Sequence, residues 1–143
     1  MTISNPDLSS LLSVGCVFHH IGYATSSIVS EREFFNHLGY LQEGPEFADP
    51  EQGILGCFLE GPGPRIELLE NMPGHDTLTP WLNKGTKMYH LAYQILDLDK
   101  AISWANSQRG RMVVTPVPAV AFGGRRICFF AFRKGPLLEF IES

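Results

Sequence analysis

The 143-residue sequence predicts an α+β fold in which two paired βαβββ modules form a curved mixed sheet around a shared cleft, and two observations predict it. First, "VFHHIGYATS" near the start and "MYHLAYQILD" past the middle read as one phrase written twice. Second, each phrase is followed by the same succession of signals: a capped helical stretch, then short apolar runs separated by turns. A repeat of about 70 residues is too long for a solenoid unit and points to paired modules. Residues 1–143 are therefore read as a single domain, with a first module at about 16–71, a connector at 72–86 and a second module at about 87–143.

Residues 1–15 are polar, with four Ser and a Pro, and are expected to form a loose lead-in or a short helix. From Val17 to Ala24 the residues are β-branched, aromatic or small, as in a strand. "TSSIVSEREFFNHLGY" then offers Ser/Thr caps ahead of helically spaced apolar residues, with Gly39 as the stop. "GILGCFLEG" and "PRIELLEN" are two strands split by the turn "GPGP", so the first half reads strand, helix, then two or three strands. In the second half "KMYHLAYQIL" is a strand. "DLDKAISWANSQRG" is a helix capped by Asp and stopped by Gly110, and "RMVVTPVPAV", "RRICFFAF" and "PLLEFIES" are strands. "NMPGHDTLTPWLNKG" joins the halves.

Composition narrows the function. With 44% hydrophobic and 18% charged residues the chain is an ordinary globular one, long enough to bury a core without staples. A net charge of -4 and the lack of any Lys/Arg run argue against nucleic acid as a partner. No apolar run approaches a membrane span, and the first residues lack a positively charged leader. Cys16, Cys57 and Cys128 are odd in number and set in apolar runs, as buried thiols in a reducing compartment would be, so a cytoplasmic location is expected.

The repeat extends to four side chains. The first module carries His20 in "FHHIG" and Glu67 in "RIELLE"; the second carries His90 in "MYHLAY" and Glu139 in "LLEFIE". His and Glu lie 47 residues apart in one module and 49 in the other. Strand alternation puts His20 on a face with Gly22 and Ala24, and His90 on a face with Ala92. Each His thus looks out over small residues that leave room for a ligand. Tyr89, Leu91, Tyr93 and Ile95 form the opposite, apolar face, expected to pack on the helix. Glu67 and Glu139 each interrupt an apolar strand, which is costly unless the charge is paired or bound to a metal. Two imidazoles and two carboxylates suit a divalent ion of intermediate softness, with Zn, Ni, Co, Mn and Fe all possible. His19, one position out of phase, is read as structural, and His37 and His75 as exposed. Trp81 and Met88 are candidate cleft linings.

On "HHIGYA", "PEQGI", "IELLE", "TPWLNKGTKMYHLAYQI", "GGRRICFF" and "LLEFIE", the chain resembles a member of the vicinal oxygen chelate superfamily from Phe18 to Ser143. It is similar in particular to the methylmalonyl-CoA epimerase and glyoxalase I (lactoylglutathione lyase) branches. The resemblance implies the glyoxalase/bleomycin resistance/dioxygenase fold, with a metal held by His20, Glu67, His90 and Glu139. It implies a divalent-metal-dependent isomerase or lyase that transfers a proton alpha to a carbonyl, acting on a small-molecule carbonyl or thioester substrate. Glu139 is the implied catalytic base, with Glu67 or a non-ligand acid serving the other face where both faces are needed. In some epimerases of the family a glutamate follows "PEQG" on the next strand, where this chain has Gly56. Lys84, Lys87, Arg125 and Arg126 are the cations available to a thioester's phosphates. The superfamily also implies a homodimer, with modules paired within one chain or across two. The alternative is a non-catalytic small-molecule, antibiotic-type binding protein of the same fold. An iron-dependent ring-cleaving dioxygenase would need only two His and one Glu, usually in a longer chain.

Overall fold

The computed structural model describes residues 10–143, so most of the expected lead-in lies outside the described residues; Leu11–Val14 form a 3-10 turn. The first module runs β1 (Cys16–Ala24), α1 (Ile28–Leu38), β2 (Leu41–Asp49), β3 (Ile54–Glu60) and β4 (Ile66–Asn71). The second runs β5 (Met88–Ile95), α3 (Leu98–Ser107), β6 (Arg111–Pro118), β7 (Arg126–Ala131) and β8 (Leu137–Glu142). The connector is not bare: it holds a short helix, α2 (Thr79–Lys84), started by Pro80 and ended by Gly85 in the left-handed conformation.

The eight strands form one sheet in the order β2-β3-β4-β1-β5-β8-β7-β6. The order is a mirror image about the β1–β5 boundary, as duplicated modules joined edge to edge require. β1 and β5 pair antiparallel within the one chain, while β4 joins β1 and β8 joins β5 in parallel, making the sheet mixed. The two helices following β1 and β5 cover the convex side. Phe35 of α1 packs with Tyr23, Cys57, Leu59 and Leu68, and Ala101 and Ala105 of α3 pack with Ile95, Cys128, Phe130 and Phe140.

Local sequence explains the boundaries. Ser27 caps α1 by accepting from Ser30 N, and the Glu70 carboxylate of β4 accepts from Ile28 N, tying the helix to the sheet. Gly39 ends α1 with a φ of 103°. The stop of α3 differs from the expectation: Gln108 caps it and Arg109 takes the left-handed turn with a φ of 63°. Gly110 serves close approach instead, since a Cβ there would lie 2.8 Å from the Phe132 ring and 2.9 Å from the Ala105 carbonyl oxygen.

Two bulges disturb the central pair. Phe18 faces Tyr93 and His20 faces Ala92, so His19 is an extra residue in β1; Gly22 faces His90 and Tyr23 faces Met88, so Tyr89 is an extra residue in β5. The bulges occupy equivalent places in the two modules, each immediately before the repeated histidine.

Candidate functional site

The four repeated side chains meet on the concave side of the sheet. His20 of β1 faces Ala92, Gly22 faces both His90 of β5 and Glu67 of β4, and Ala92 faces Glu139 of β8, so the group spans the four central strands. His20 is 0% exposed, His90 1%, Glu139 3% and Glu67 4%. His20 Nε2 lies 3.0 Å from Glu67 Oε1, 3.2 Å from Glu139 Oε1 and 3.1 Å from His90 Nε2. His90 Nε2 lies 3.3 Å from Glu139 Oε1 and 3.6 Å from Glu67 Oε1.

The spacing fits an ion. Bonds of about 2.0–2.2 Å to one cation put neighbouring ligand atoms about 3.0–3.6 Å apart, depending on geometry. Glu139 Oε1 makes no hydrogen bond, although two imidazole nitrogens lie within reach. A buried carboxylate oxygen left without a donor beside two imidazole nitrogens and a second carboxylate suits a shared cation, and these four side chains could hold a metal ion.

The room beside the small residues goes to the other module's ring, which differs from the expectation that a ligand would take it. A Cβ on Gly22 would lie 1.9 to 2.3 Å from atoms of the His90 imidazole, so that ring lies against bare backbone. Tyr89 and Phe129 hold it edge-on, at centroid distances of 4.6 and 5.1 Å.

Charge is strongly coupled here. Burial alone would lower the His20 pKa, but the Glu67 and Glu139 carboxylates raise it to about 9. Burial would raise Glu67, yet His20 and His90 hold it at about 2; Glu139 is lowered from the usual range by the same two rings against the same burial cost. Burial raises the Tyr89 phenol well above its ordinary value, helped by both carboxylates, so it stays protonated.

Glu67, His90 and Glu139 of the cluster line a cleft with a cavity volume of about 550 Å³, and His20 lies buried behind them. Ile54, Leu69, Val114, Val117, Phe129 and Leu137 make its walls largely apolar, and Glu51, Gln52, Lys84 and Arg111 supply polar groups. Trp81 lines it as expected. Met88 does not: it is exposed, because the Tyr89 bulge turns the strand there, and the same bulge puts Tyr89 on the cleft wall instead of against α3. Of the expected cations only Lys84 reaches the cleft. Lys87 pairs with Glu31, Arg126 with Glu142, and Arg125 donates to the Phe122 carbonyl. Arg111 was not anticipated, although as the first residue of β6 it shares a strand face with Val113, another cleft residue.

His19 is a second departure. Its Nδ1 lies 2.8 Å from His20 Nδ1, against the expectation of a residue out of phase with the site, because the bulge breaks the alternation. Burial, His20 and Arg65 lower its pKa to about 4, keeping it neutral. His37 and His75 are exposed. At Gly56 a Cβ would lie 2.4 Å from the Phe47 ring, so an aromatic ring fills the space above that position.

The fold and site define a class. A family model of the glyoxalase/bleomycin resistance protein/dioxygenase superfamily matches residues 19–129, and the chain belongs to that superfamily. Among solved structures it is similar to a hypothetical protein from Bacillus halodurans, with 27% identity, a TM-score of 0.77, and coverage of 90% of this chain and 95% of that one. It is also similar to methylmalonyl-CoA epimerase from Mycobacterium tuberculosis, with 25% identity, a TM-score of 0.72, and coverage of 88% and 87%. A Streptomyces coelicolor methylmalonyl-CoA epimerase in complex with 2-nitronate-propionyl-CoA shares the fold at 22% identity and a TM-score of 0.69, over 88% of this chain and 96% of that one. None of the curated proteins compared with the chain matches it in sequence. No described helix is long and apolar enough to cross a membrane.

Proposed function

We propose that this protein is a divalent-metal-dependent isomerase or lyase that moves a proton alpha to the carbonyl of a small carbonyl or thioester substrate, in the manner of glyoxalase I or methylmalonyl-CoA epimerase. The observation that carries the reading is the convergence of four buried donors, three of which line an apolar cleft. His20, Glu67, His90 and Glu139 would hold the ion, with Zn, Ni, Co, Mn and Fe all compatible with this donor set. When bound, the ion would supply Lewis-acid polarisation of the substrate carbonyl.

The chain's own groups do the rest. Glu139 takes the proton from the carbon next to the carbonyl and returns one to it, and exchange of the carboxyl proton with solvent between the two steps carries deuterium to that carbon. Glu67 is the other carboxylate within reach. Tyr89 stays protonated at the cleft wall and can donate to a substrate oxygen. The apolar walls hold the substrate body and exclude water, while Lys84 and Arg111 are placed to meet its anionic end.

The test is solvent exchange: metal-loaded protein is incubated in deuterated water with methylmalonyl-CoA or with a hemithioacetal, and the α carbon is monitored. Exchange with either substrate is expected, reduced roughly 10²- to 10⁴-fold in Glu139→Gln. Exchange undiminished by that variant contradicts the role of Glu139. The Phe47 ring over Gly56 favours a second reading, a non-catalytic small-molecule binder of the same fold, because an aromatic ring fills the space above the β3 position where some epimerases carry a glutamate. Tight binding of a small apolar compound with no exchange on any carbonyl substrate would select it. Three free cysteines, two of them buried, support a reducing, cytoplasmic setting. All four donors come from one chain, so the homodimer that completes this reading is not needed to assemble a site; sedimentation analysis tests it.

A further inference from the structure

His20 and His90 are alike in sequence setting but not in their surroundings. Both point Nε2 into the four-donor cluster. A nitrogen that gives its lone pair to a cation leaves the proton of the neutral ring on the other nitrogen. Each Nδ1–H therefore needs an acceptor. His90 Nδ1 has none: it is buried and makes no hydrogen bond, because its preceding neighbour is Tyr89, whose ring meets the imidazole edge-on without an acceptor in reach. His20 Nδ1 has one, 2.8 Å away, in the Nδ1 of His19.

We infer that His19 is a positioning residue for the metal site, accepting the Nδ1–H of His20 and so fixing the ring orientation and tautomer that leave His20 Nε2 free for a divalent cation. The inference rests on the metal reading above. The β1 bulge makes it possible, since in a regular strand consecutive rings would lie on opposite faces of the sheet. His19 is itself held fast. Its carbonyl accepts from Arg65 Nη1 at 2.9 Å, and its ring lies edge-on to Phe58 and Phe122 at 5.8 and 5.4 Å. With Nδ1 accepting, its own proton sits on Nε2. The remote nitrogen of a ligating histidine ordinarily donates to a carboxylate, carbonyl or water, and the acceptor raises the ligand's basicity. Here a neutral imidazole takes that place in one module, and the orphaned Nδ1 of His90 provides an internal comparison.

The test compares wild type, His19→Phe and His19→Asn by competition for Zn²⁺ against a chromophoric chelator, with circular dichroism to establish folding. His19→Phe keeps a ring and removes the acceptor; His19→Asn puts an amide oxygen where Nδ1 stood. The expected result is a roughly 10- to 100-fold loss of zinc affinity in His19→Phe, with most of it restored in His19→Asn. Nitrogen NMR of the imidazoles in the zinc-loaded wild type should show His20 protonated on Nδ1 and His19 bare on Nδ1, which decides the matter even if His19→Phe fails to fold. Wild-type affinity in a folded His19→Phe, or a proton on His19 Nδ1, overturns the inference and leaves the metal reading standing. Failure of the wild type to bind zinc overturns both.

Discussion

Replacing Gly22 by alanine adds one methyl group and should displace His90, one of the four proposed metal ligands. The new Cβ would stand 1.9 Å from His90 Cε1, 2.1 Å from Nδ1 and 2.3 Å from Nε2. Non-bonded carbon atoms settle at about 3.5–4.0 Å, so the imidazole must retreat by about 1.5 Å. Tyr89 and Phe129 flank the ring, which confines the direction of that retreat. Metal–ligand distances tolerate only about 0.2 Å, so His90 would be lost to the proposed ion. Loss of the hydrogen-bond partner behind a metal ligand alone costs about 10- to 100-fold in affinity, which makes at least 100-fold, or about 2.8 kcal/mol, the expected loss for a direct ligand. The assay is competition for Zn²⁺ against a chromophoric chelator, with circular dichroism confirming that the sheet has formed. A folded Gly22→Ala protein with wild-type affinity would refute the placement of His90 as a ligand.

The metal-free protein should show a stability optimum set by the site. The His20 pKa rises from 6.5 to about 9, so its contribution is complete below pH 6.5 and is lost as pH climbs through 9. Glu67 falls from 4.5 to about 2, so its contribution is present above pH 4.5 and is lost as pH falls through 2. Thermal melts should therefore plateau between pH 4.5 and 6.5 and decline toward 9; a midpoint flat from pH 6.5 to 9 contradicts the charged pairing. Gly56→Ala should destabilise the fold by about 1–3 kcal/mol through overpacking against Phe47, read by chemical denaturation. In a Phe47→Ala background the penalty should fall to the smaller remainder set by Leu69 Cδ2, 3.0 Å from the new Cβ, and a penalty undiminished there refutes the contact with Phe47.

The fold was legible because it is written twice. Matching phrases around His20 and His90 imply matching modules, and Glu67 and Glu139, each interrupting an apolar strand at a matched distance from its histidine, stand out as candidate ligands. What escaped depends on relations between strands. A bulge is a mismatch of register between β1 and β5, and neither strand read alone shows that His19 and Tyr89 are the extra residues. Strict alternation therefore sent His19 away from the site and Tyr89 toward α3, while placing Met88 in the cleft. Arg111 and Phe47 reach the cleft only through the curvature of the sheet, which brings the outer strands β6 and β2 round toward it. The short α2 was hidden by its length, its six residues giving too few turns for periodicity to register, although Pro80 and Gly85 bracket it.

Calorimetric titration of metal-freed protein with a divalent ion tests the central claim most directly. One equivalent of Zn²⁺, Co²⁺ or Ni²⁺ per chain should bind to the wild type, with protons released as His20 gives up its charge, and binding should vanish in the folded His20→Ala/His90→Ala double variant. Absence of saturable binding by the wild type, or equal binding by the double variant, would mean that the four buried side chains are not a metal site.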